Sequence, residues 1–400
     1  MALHTPELHE PLTEVAWSPE RARASIRTIV ADADERYDEA ALWAPVDAWD
    51  DWGGELRLPP TVLSTGASGV AFGIDVLRRR GHAEPRVDPS RIAVAAVEAW
   101  RRSPDTDERL EPPVSTHASL FMGETGPLLV ACLLGASEYT DALHERVVAN
   151  ETCETNELFS GSPGTMVAAR AMHDATGDER WARSWRNAAS VLLDRRDVDG
   201  LWVYPPYGKS PGASHGLASN AKILLAWPEL LPPGVAGTLP EESAAALSAT
   251  AVVEDELANW PLAAGDDLVG FDGVIRTQWC HGAAGVAEAA SGFLDESLLL
   301  AAGELVWRAG PPSMDKGTGM CHGTAGSGFA LLKVHARTQD ELWLERARRF
   351  AMHAAGQADR WRERRGAGRT TLWTGDVGAA LFLQACLDVD PRLPVVDYVD

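Results

Sequence analysis

Lysine is nearly missing from this chain: Lys209, Lys222, Lys316 and Lys333 are the only four among 400 residues. Basic residues number 36 against 58 acidic ones, a net charge of −22, and no run of Lys or Arg longer than the three of 78–80 interrupts that balance. A nucleic-acid partner is thereby disfavoured, because binding a phosphate backbone requires clustered cations. The lysine shortage itself reads as a compositional bias, not as a functional device. Long apolar runs are missing as well; residues 126–135 are typical and stop at about half of the ~20 residues a membrane-spanning helix needs. The first ten residues carry His4, Glu7, His9 and Glu10 where a secretion signal has a cationic start and an apolar stretch. A cytoplasmic chain with no membrane partner is the expectation. Cysteines are five, an odd count that argues against a disulfide framework and for thiol or metal chemistry. Strand signals are sparse, and a β-branched run such as 251–253 shows no hairpin partner. What remains, 45% hydrophobic and 24% charged residues, suits a globular protein.

What the chain does have is a repeat. A Gly-x-x-Gly followed at once by an apolar helical stretch occurs at Gly66/Gly69, Gly123/Gly126, Gly161/Gly164, Gly282/Gly285, Gly323/Gly326 and Gly375/Gly378. A degenerate copy, Gly216/Ser219, fills the longest gap. The seven copies are separated by 57, 38, 55, 66, 41 and 52 residues, room for two helices and their loops each. The stretches after the pairs, such as 70–77, 127–134, 165–172, 286–294 and 379–387, are apolar nearly all round and are expected to be buried. Segments between them, including 91–102, 179–195, 297–308 and 341–357, are charged and amphipathic. A buried helix alternating with a half-exposed one, seven times, predicts an all-α fold: an α/α barrel of seven inner and seven outer helices. One domain over 1–400 is expected, with 1–60 an N-terminal outer-helix segment and 61–390 the seven helical-hairpin repeats. The glycines let backbones approach closely at the turn into each inner helix. Inner-helix N-termini would then converge on one rim and present free N–H groups there.

Two copies carry chemistry. Residues 278–285 read QWCHGAAG and residues 319–326 read GMCHGTAG, so Cys-His stands directly before the repeat glycine in both. If both turns lie on one rim, Cys280, His281, Cys321 and His322 approach one another across the barrel mouth. Two thiols with one or two imidazoles are a donor set that zinc prefers. A Cys2His set leaves a fourth position open for water or a substrate thiol, whereas Cys2His2 closes the shell; the residues fit both. Adjacent Cys and His cannot share a helical face, so a metal held by Cys321 and His322 needs them at a loop-to-helix junction. Cys132 and Cys386 lie in apolar helical runs and read as core thiols, while Cys153, in a polar loop, has no assignment. Taken alone, His215 before Gly216 reads as a helix cap or core group.

The repeat glycines, Trp279-Cys280-His281-Gly282, Cys321-His322-Gly323 and Ser214-His215-Gly216 together resemble the lanthionine synthetase C-like (LanC-like) family over roughly residues 60–385. The resemblance implies a double ring of seven plus seven helices and one catalytic zinc (Zn2+) held by Cys280, Cys321 and His322. It also implies the reaction, addition of a thiol to dehydroalanine or dehydrobutyrine to form a thioether. In bacterial cyclases of the family the thiol is a peptide cysteine; in the eukaryotic-type branch it is glutathione. The segments Lys316-Gly317-Thr318-Gly319-Met320-Cys321 and Asn156-Glu157-Leu158-Phe159 resemble the glutathione-adding branch more, as does His281 where cyclases usually carry Tyr. A thiol of pKa about 8.5 is mostly protonated at neutral pH, and zinc removes that proton. Thiolate attack on the β-carbon then builds an enolate on the amide oxygen, which calls for a cation or hydrogen-bond donor. Arg276 resembles the family arginine in that role, and His215 the histidine that returns a proton to the α-carbon. Glu157 stands where the cyclases have Asp: it activates the thiol, orients His215, or is simply solvated at a helix start. His281 fits an outer hydrogen-bonding role, a second acid or a fourth ligand. Lys316, on a Gly-rich loop, fits attraction of a small thiol's carboxylate or plain solvation.

One departure stands out: the family's second glycine is Ser219 here, an added side chain that would displace His215 or narrow the channel for the dehydropeptide. Ala284, where the glutathione-adding branch usually has proline, is milder. Both bear on catalytic efficiency more than on metal binding. The expected partners are a dehydroamino-acid-containing peptide or protein and a small thiol, with a dehydratase or kinase supplying the dehydro residues. From a different class, a non-catalytic zinc-containing protein that binds peptides or a partner enzyme fits the same residues, on Ser219 and on His281 as a closing ligand. A sugar-processing α/α barrel fits poorly, because apart from Glu124, Glu157 and Asp376 carboxylates do not gather at the repeat glycines. The acidic balance favours a neutral or basic peptide over an anionic thiol, which would need help from zinc, Arg276 and Lys316.

Overall fold

Two kinds of helix start alternate along the chain, and the difference places the site. In the computed structural model, which describes residues 2–43, 60–104, 117–205, 208–270 and 272–399, there are fourteen α-helices. The odd-numbered ones are α1 (Pro19–Arg36), α3 (Pro89–Arg102), α5 (Thr140–Asn150), α7 (Glu179–Asp194), α9 (Val235–Thr250), α11 (Glu296–Ala309) and α13 (Glu341–Arg365). Five of these begin at Ser18, Asp88, Asp178, Asp295 or Asp340, whose side chain accepts one of the first helical N–H groups. The even-numbered ones are α2 (Ala67–Arg79), α4 (Thr125–Leu133), α6 (Ser162–Thr176), α8 (Leu217–Leu225), α10 (Ala283–Ala290), α12 (Thr324–Thr338) and α14 (Asp376–Asp388), none capped by the side chain of the residue that precedes it.

The even helices instead cap themselves with their own preceding turn. Ala67 N donates to Pro60 O (3.0 Å), Leu217 N to Ser210 O (3.0 Å), Ala325 N to Thr318 O (3.1 Å) and Asp376 N to Arg369 O (2.8 Å), each seven residues back. The expected free N–H groups at these starts are therefore not free: the chain folds under α2, α8, α12 and α14 and takes one up in each. This return needs glycine. A Cβ on Gly285 would lie 1.8 Å from Trp279 O and 2.9 Å from Ala213 Cβ of the preceding turn; one on Gly326 would lie 2.0 Å from Met320 O and 2.9 Å from Trp279 Cβ. The second glycine thus packs one turn against its neighbour.

Helices α2, α4, α6, α8, α10, α12 and α14 touch in that order, and α14 returns to α2, closing an inner ring. The odd helices pack outside it, each beside its hairpin partners, and α1 closes the outer ring against α13 and α14. This is the seven-plus-seven α/α barrel that the glycine repeat predicts. The inner stretches are buried almost throughout; α10 ends at Ala290, short of 294, and α13 runs on to Arg365, past 357. The run at 251–253 does have a partner: β3 (Val252–Glu254) pairs antiparallel with β4 (Leu257–Asn259), as β1 (Val203–Tyr204) does with β2 (Gly208–Lys209). The β3–β4 hairpin escapes sequence reasoning because its turn uses Asp255 at φ 55° in place of Gly, and its second strand has no β-branched residue. No described helix is long and apolar enough to cross a membrane.

At the end of the barrel away from these turns, the two lysines of the inner helices have a specific role that the composition hides. Lys222 Nζ meets Glu288 Oε1 (2.6 Å) and Asp397 Oδ1 (2.7 Å), and Lys333 Nζ meets Asp397 Oδ2 (2.7 Å), so the C-terminal segment is anchored among the inner helices. Burial pushes the Asp397 carboxyl up, but Lys222 and Lys333 outweigh it and hold it well below the usual carboxylate range. Because its folded value is depressed, its contribution is fully present above the unfolded value near ~4 and is lost as pH falls through the folded one. Asp397→Asn is expected to cost about 3 kcal/mol at pH 7, read from denaturant midpoints, with the gap to the unsubstituted protein narrowing below pH ~4.

Candidate metal centre and its rim

Aligning the seven turns on their first glycine puts the chemistry at two register positions. Two residues before it stand Ser64, Phe121, Phe159, Ser214, Cys280, Cys321 and Trp373; one before it stand Thr65, Met122, Ser160, His215, His281, His322 and Thr374. The first set is stitched together by backbone: Ser214 N donates to Cys280 O (3.4 Å), Cys280 N to Cys321 O (3.1 Å), Cys321 N to Trp373 O (2.8 Å), Trp373 N to Ser64 O (2.9 Å) and Ser64 N to Phe121 O (3.1 Å). Closure of the helical ring therefore brings side chains of distant repeats to one rim.

Cys280, Cys321 and His322 form the one group among the described residues whose metal-ligating atoms all lie within 4.8 Å of one another. They are only 6%, 7% and 8% exposed. His322 presents Nδ1 to Cys280 Sγ at 3.6 Å. Donors 2.0–2.3 Å from a tetrahedral zinc stand ~3.5–3.8 Å from one another, so this pair has the separation that zinc requires. The Cys321 thiol beside Cys280 holds the latter well below the ordinary thiol range against the effect of burial, and His281 and His322 add to it. These three residues fit a metal. His281 lies outside the group, partly buried, with Nδ1 buried and without a hydrogen-bond partner. Burial pushes its imidazole down to about 4, Cys280 opposing and His215 and Arg276 reinforcing, so it is neutral at pH 7.

Beside this group lies a dyad that joins repeats 58 residues apart. Glu157 is fully buried; its carboxylate accepts from Phe159 N (2.8 Å) and Ser160 N (2.5 Å) and pairs with His215 Nδ1 at 2.8 Å. The solvated-carboxylate alternative for Glu157 does not survive this burial. With Nδ1 engaged, Nε2 is the nitrogen left to exchange a proton, and it lies 3.1 Å from Ser214 Oγ. Tyr204, on β1, stacks on the His215 ring at 4.6 Å and 3°, and the His281 ring is 5.3 Å away. Ser219, 1% exposed with its hydroxyl unpartnered, is absorbed into the packing, and His215 keeps these neighbours.

Arg276 pairs with Asp272, and its guanidinium is 13% exposed. Lys316 ends a short 3-10 turn (Met314–Lys316) and is 7% exposed, not a solvated side chain. Asp376 accepts from Thr318 Oγ1 (2.7 Å) and Arg369 N (3.0 Å), and Glu124 pairs with Arg146, so these carboxylates hold structure. All five cysteines are free. Cys386 is buried, and Cys132 is half-buried with burial pushing its thiol up to about 11.

Residue-by-residue reading misses the floor of the mouth. Phe121 stacks on Phe159 (4.6 Å), Trp373 meets Phe121 (4.9 Å) and Trp279 (5.2 Å), and Phe159 reaches His215 (5.9 Å). These rings pack on one another around the register of the thiols and lower the local dielectric. The register alignment would have revealed them, since three occupy the position of the thiols.

Fold and rim together define a helical toroid with a buried Cys2His pocket at one mouth. The family model described as lanthionine synthetase C-like protein matches residues 60–397, and the chain belongs to that family. Among solved structures, nisin cyclase aligns with a TM-score of 0.61 at 16% identity over 92% of this chain and 94% of that one, a likeness of fold. The zebrafish (Danio rerio) glutathione S-transferase LANCL1 is 34% identical over 86 residues, 19% of this chain and 20% of that protein. The Arabidopsis thaliana LanC-like protein GCL1 is 35% identical over 89 residues, 20% of each. The match thus spans about a fifth of the length of these relatives.

Proposed function

We propose that this chain is a zinc-dependent thiol-addition enzyme that joins a thiol to the β-carbon of dehydroalanine or dehydrobutyrine in a peptide or protein. The carrying observation is the convergence of Cys280, Cys321 and His322 with the Glu157–His215 dyad on one rim. Zinc held by those three residues would supply the acidification that turns a substrate thiol into a thiolate. His281 outside the ligand group supports an open fourth position over the closed shell of a non-catalytic binding protein. Glu157 fixes the His215 ring and its tautomer through Nδ1, leaving Nε2 to deliver a proton to the substrate α-carbon. Arg276 meets the developing enolate oxygen, with Asp272 steadying its guanidinium. The aromatic floor excludes water from the nucleophile. Neutral His281 serves as a hydrogen-bonding neighbour, and Lys316 receives a carboxylate of a small thiol such as glutathione, the thiol in the LANCL1 relative's name. Five free cysteines suit a reducing, cytoplasmic setting, with a dehydratase or kinase upstream.

The test is incubation of zinc-loaded protein with a dehydroalanine peptide, with and without an internal cysteine, in the presence and absence of glutathione. A mass gain of one glutathione identifies the intermolecular reaction. Unchanged mass with loss of alkylatable thiol identifies cyclisation. If neither product forms, the reading is overturned.

A further inference from the structure

The family match begins at residue 60, yet residues 3–10, far upstream of it, lie against the turn that supplies Cys280 and reach the start of α12 beside Cys321-His322 through Gln357. Ile275 N donates to Thr5 Oγ1 (2.8 Å), Thr277 Oγ1 pairs with His9 Nε2 (3.1 Å), and Asn259 Nδ2 donates to Leu3 O (2.8 Å) and Arg276 O (3.0 Å). On the other side His9 Nδ1 faces Gly310 O (2.9 Å), Glu10 N donates to Pro311 O (3.0 Å) and Ser313 N to Leu8 O (2.9 Å). Glu10 accepts from Gln357 (2.8 Å), and Gln357 accepts from Thr324 Oγ1 (2.6 Å) at the start of α12, just after His322-Gly323.

The turn before α10 has reason to need outside support. Where α2, α8 and α14 have a direct bond from their first N–H to the carbonyl seven residues back, here the Asn259 amide is inserted between the two. Ala283 N donates to Asn259 Oδ1 (2.8 Å), and Asn259 Nδ2 reaches Arg276 O. The first N–H of α10 and the Arg276 carbonyl are thus held by a side chain from β4 and not by each other. His9 fits the gap. Its Nδ1 faces a carbonyl and so carries the hydrogen, which leaves Nε2 as acceptor for the Thr277 hydroxyl.

We infer that residues 3–10 are a positioning strap in which His9 ties the Arg276–Cys280 turn to the 310–313 segment that leads to Cys321, setting the spacing of the metal ligands and the aim of Arg276. The catalytic half of this inference rests on the proposed thiol addition; the metal half does not. Three variants separate positioning from mere folding. The amide of His9→Asn reaches the Nδ1 place and keeps only the Gly310 bond; that of His9→Gln reaches the Nε2 place and keeps only the Thr277 bond; His9→Ala keeps neither.

The expected result, at equal thermal stability for Asn and Gln, is zinc release to a chelator accelerated roughly 10-fold in His9→Ala and His9→Asn, near the unsubstituted rate in His9→Gln. Hydrogen exchange at the Ile275 amide of the metal-free chain should follow the same order. The thiol-addition rate should fall in kcat with KM unchanged. Equal zinc release and exchange in Asn and Gln variants would overturn the strap. Ordered zinc release and exchange with no thioether from the unsubstituted protein would instead leave the strap standing and sink the proposed reaction.

Discussion

Cys321→Ala and Cys280→Ala are each expected to purify with far less than one zinc per chain and to lose thioether formation. Each substitution removes one of three ligands whose atoms lie within 4.8 Å of one another, and no other described Cys, His, Asp or Glu joins that group to replace it. Loss of an outer partner alone costs roughly 10–100-fold in metal affinity, so loss of a direct ligand costs more. The fold should survive, because thiol to methyl is a small change of volume at residues 6% and 7% exposed. Zinc bound by the folded chain and not by the unfolded one adds to stability, so a chelator should lower the melting temperature of the unsubstituted protein and leave that of Cys321→Ala unchanged. Cys132→Ala and Cys386→Ala serve as controls. Burial pushes both thiols up and neither belongs to the group of ligating side chains, so both variants should keep full zinc. Elemental analysis and melting curves decide the matter, and full zinc in Cys321→Ala would refute the ligand set.

His215→Ala is expected to retain zinc and melt normally while losing ~10²–10⁴-fold in kcat, the range that a positioned general acid contributes. The separation of effects is possible because His215 belongs to the neighbouring repeat and is no member of the ligand group, with His281 5.3 Å away and the Ser214–Cys280 backbone bond linking the two turns. Glu157→Gln should behave differently. Its carboxylate holds Phe159 N, Ser160 N and His215 Nδ1 at once, so the amide leaves one of these donors facing another donor. A stability loss of about 2 kcal/mol is expected, together with a kcat loss smaller than that of His215→Ala. Equal zinc content across the series, with kcat falling in the order native, Glu157→Gln, His215→Ala, is the predicted pattern. A His215→Ala protein with native kcat would remove the dyad from the reaction.

How much of this was legible depends on the distance over which each feature is fixed. The inner-helix starts could be read from the glycines because their cause is local: a Cβ at Gly285 or Gly326 would collide with the carbonyl six residues earlier in the same turn. Cys280 and Cys321 were legible because each precedes such a glycine, which gives both the same register in their repeats. Glu157 and His215 were named, but nothing nearby in the chain says that their side chains pair, since 58 residues and two other helices intervene. The same holds for the ring of Phe121, Phe159, Trp279 and Trp373, and for Lys222 and Lys333 bracketing Asp397.

By itself, then, the sequence determined the repeat, the alternation of buried and half-exposed helices, and the two Cys-His turns, all consequences of short-range sterics and periodicity. Only the tertiary structure decided which rim groups meet. That depends on α14 returning to α2 and on backbone bonds between turns, and the long-range closure fixes distances of a few ångströms between residues that local rules cannot relate. It also decided that the helix N-termini are capped from within, and that the far N-terminal residues reach the turn holding Arg276.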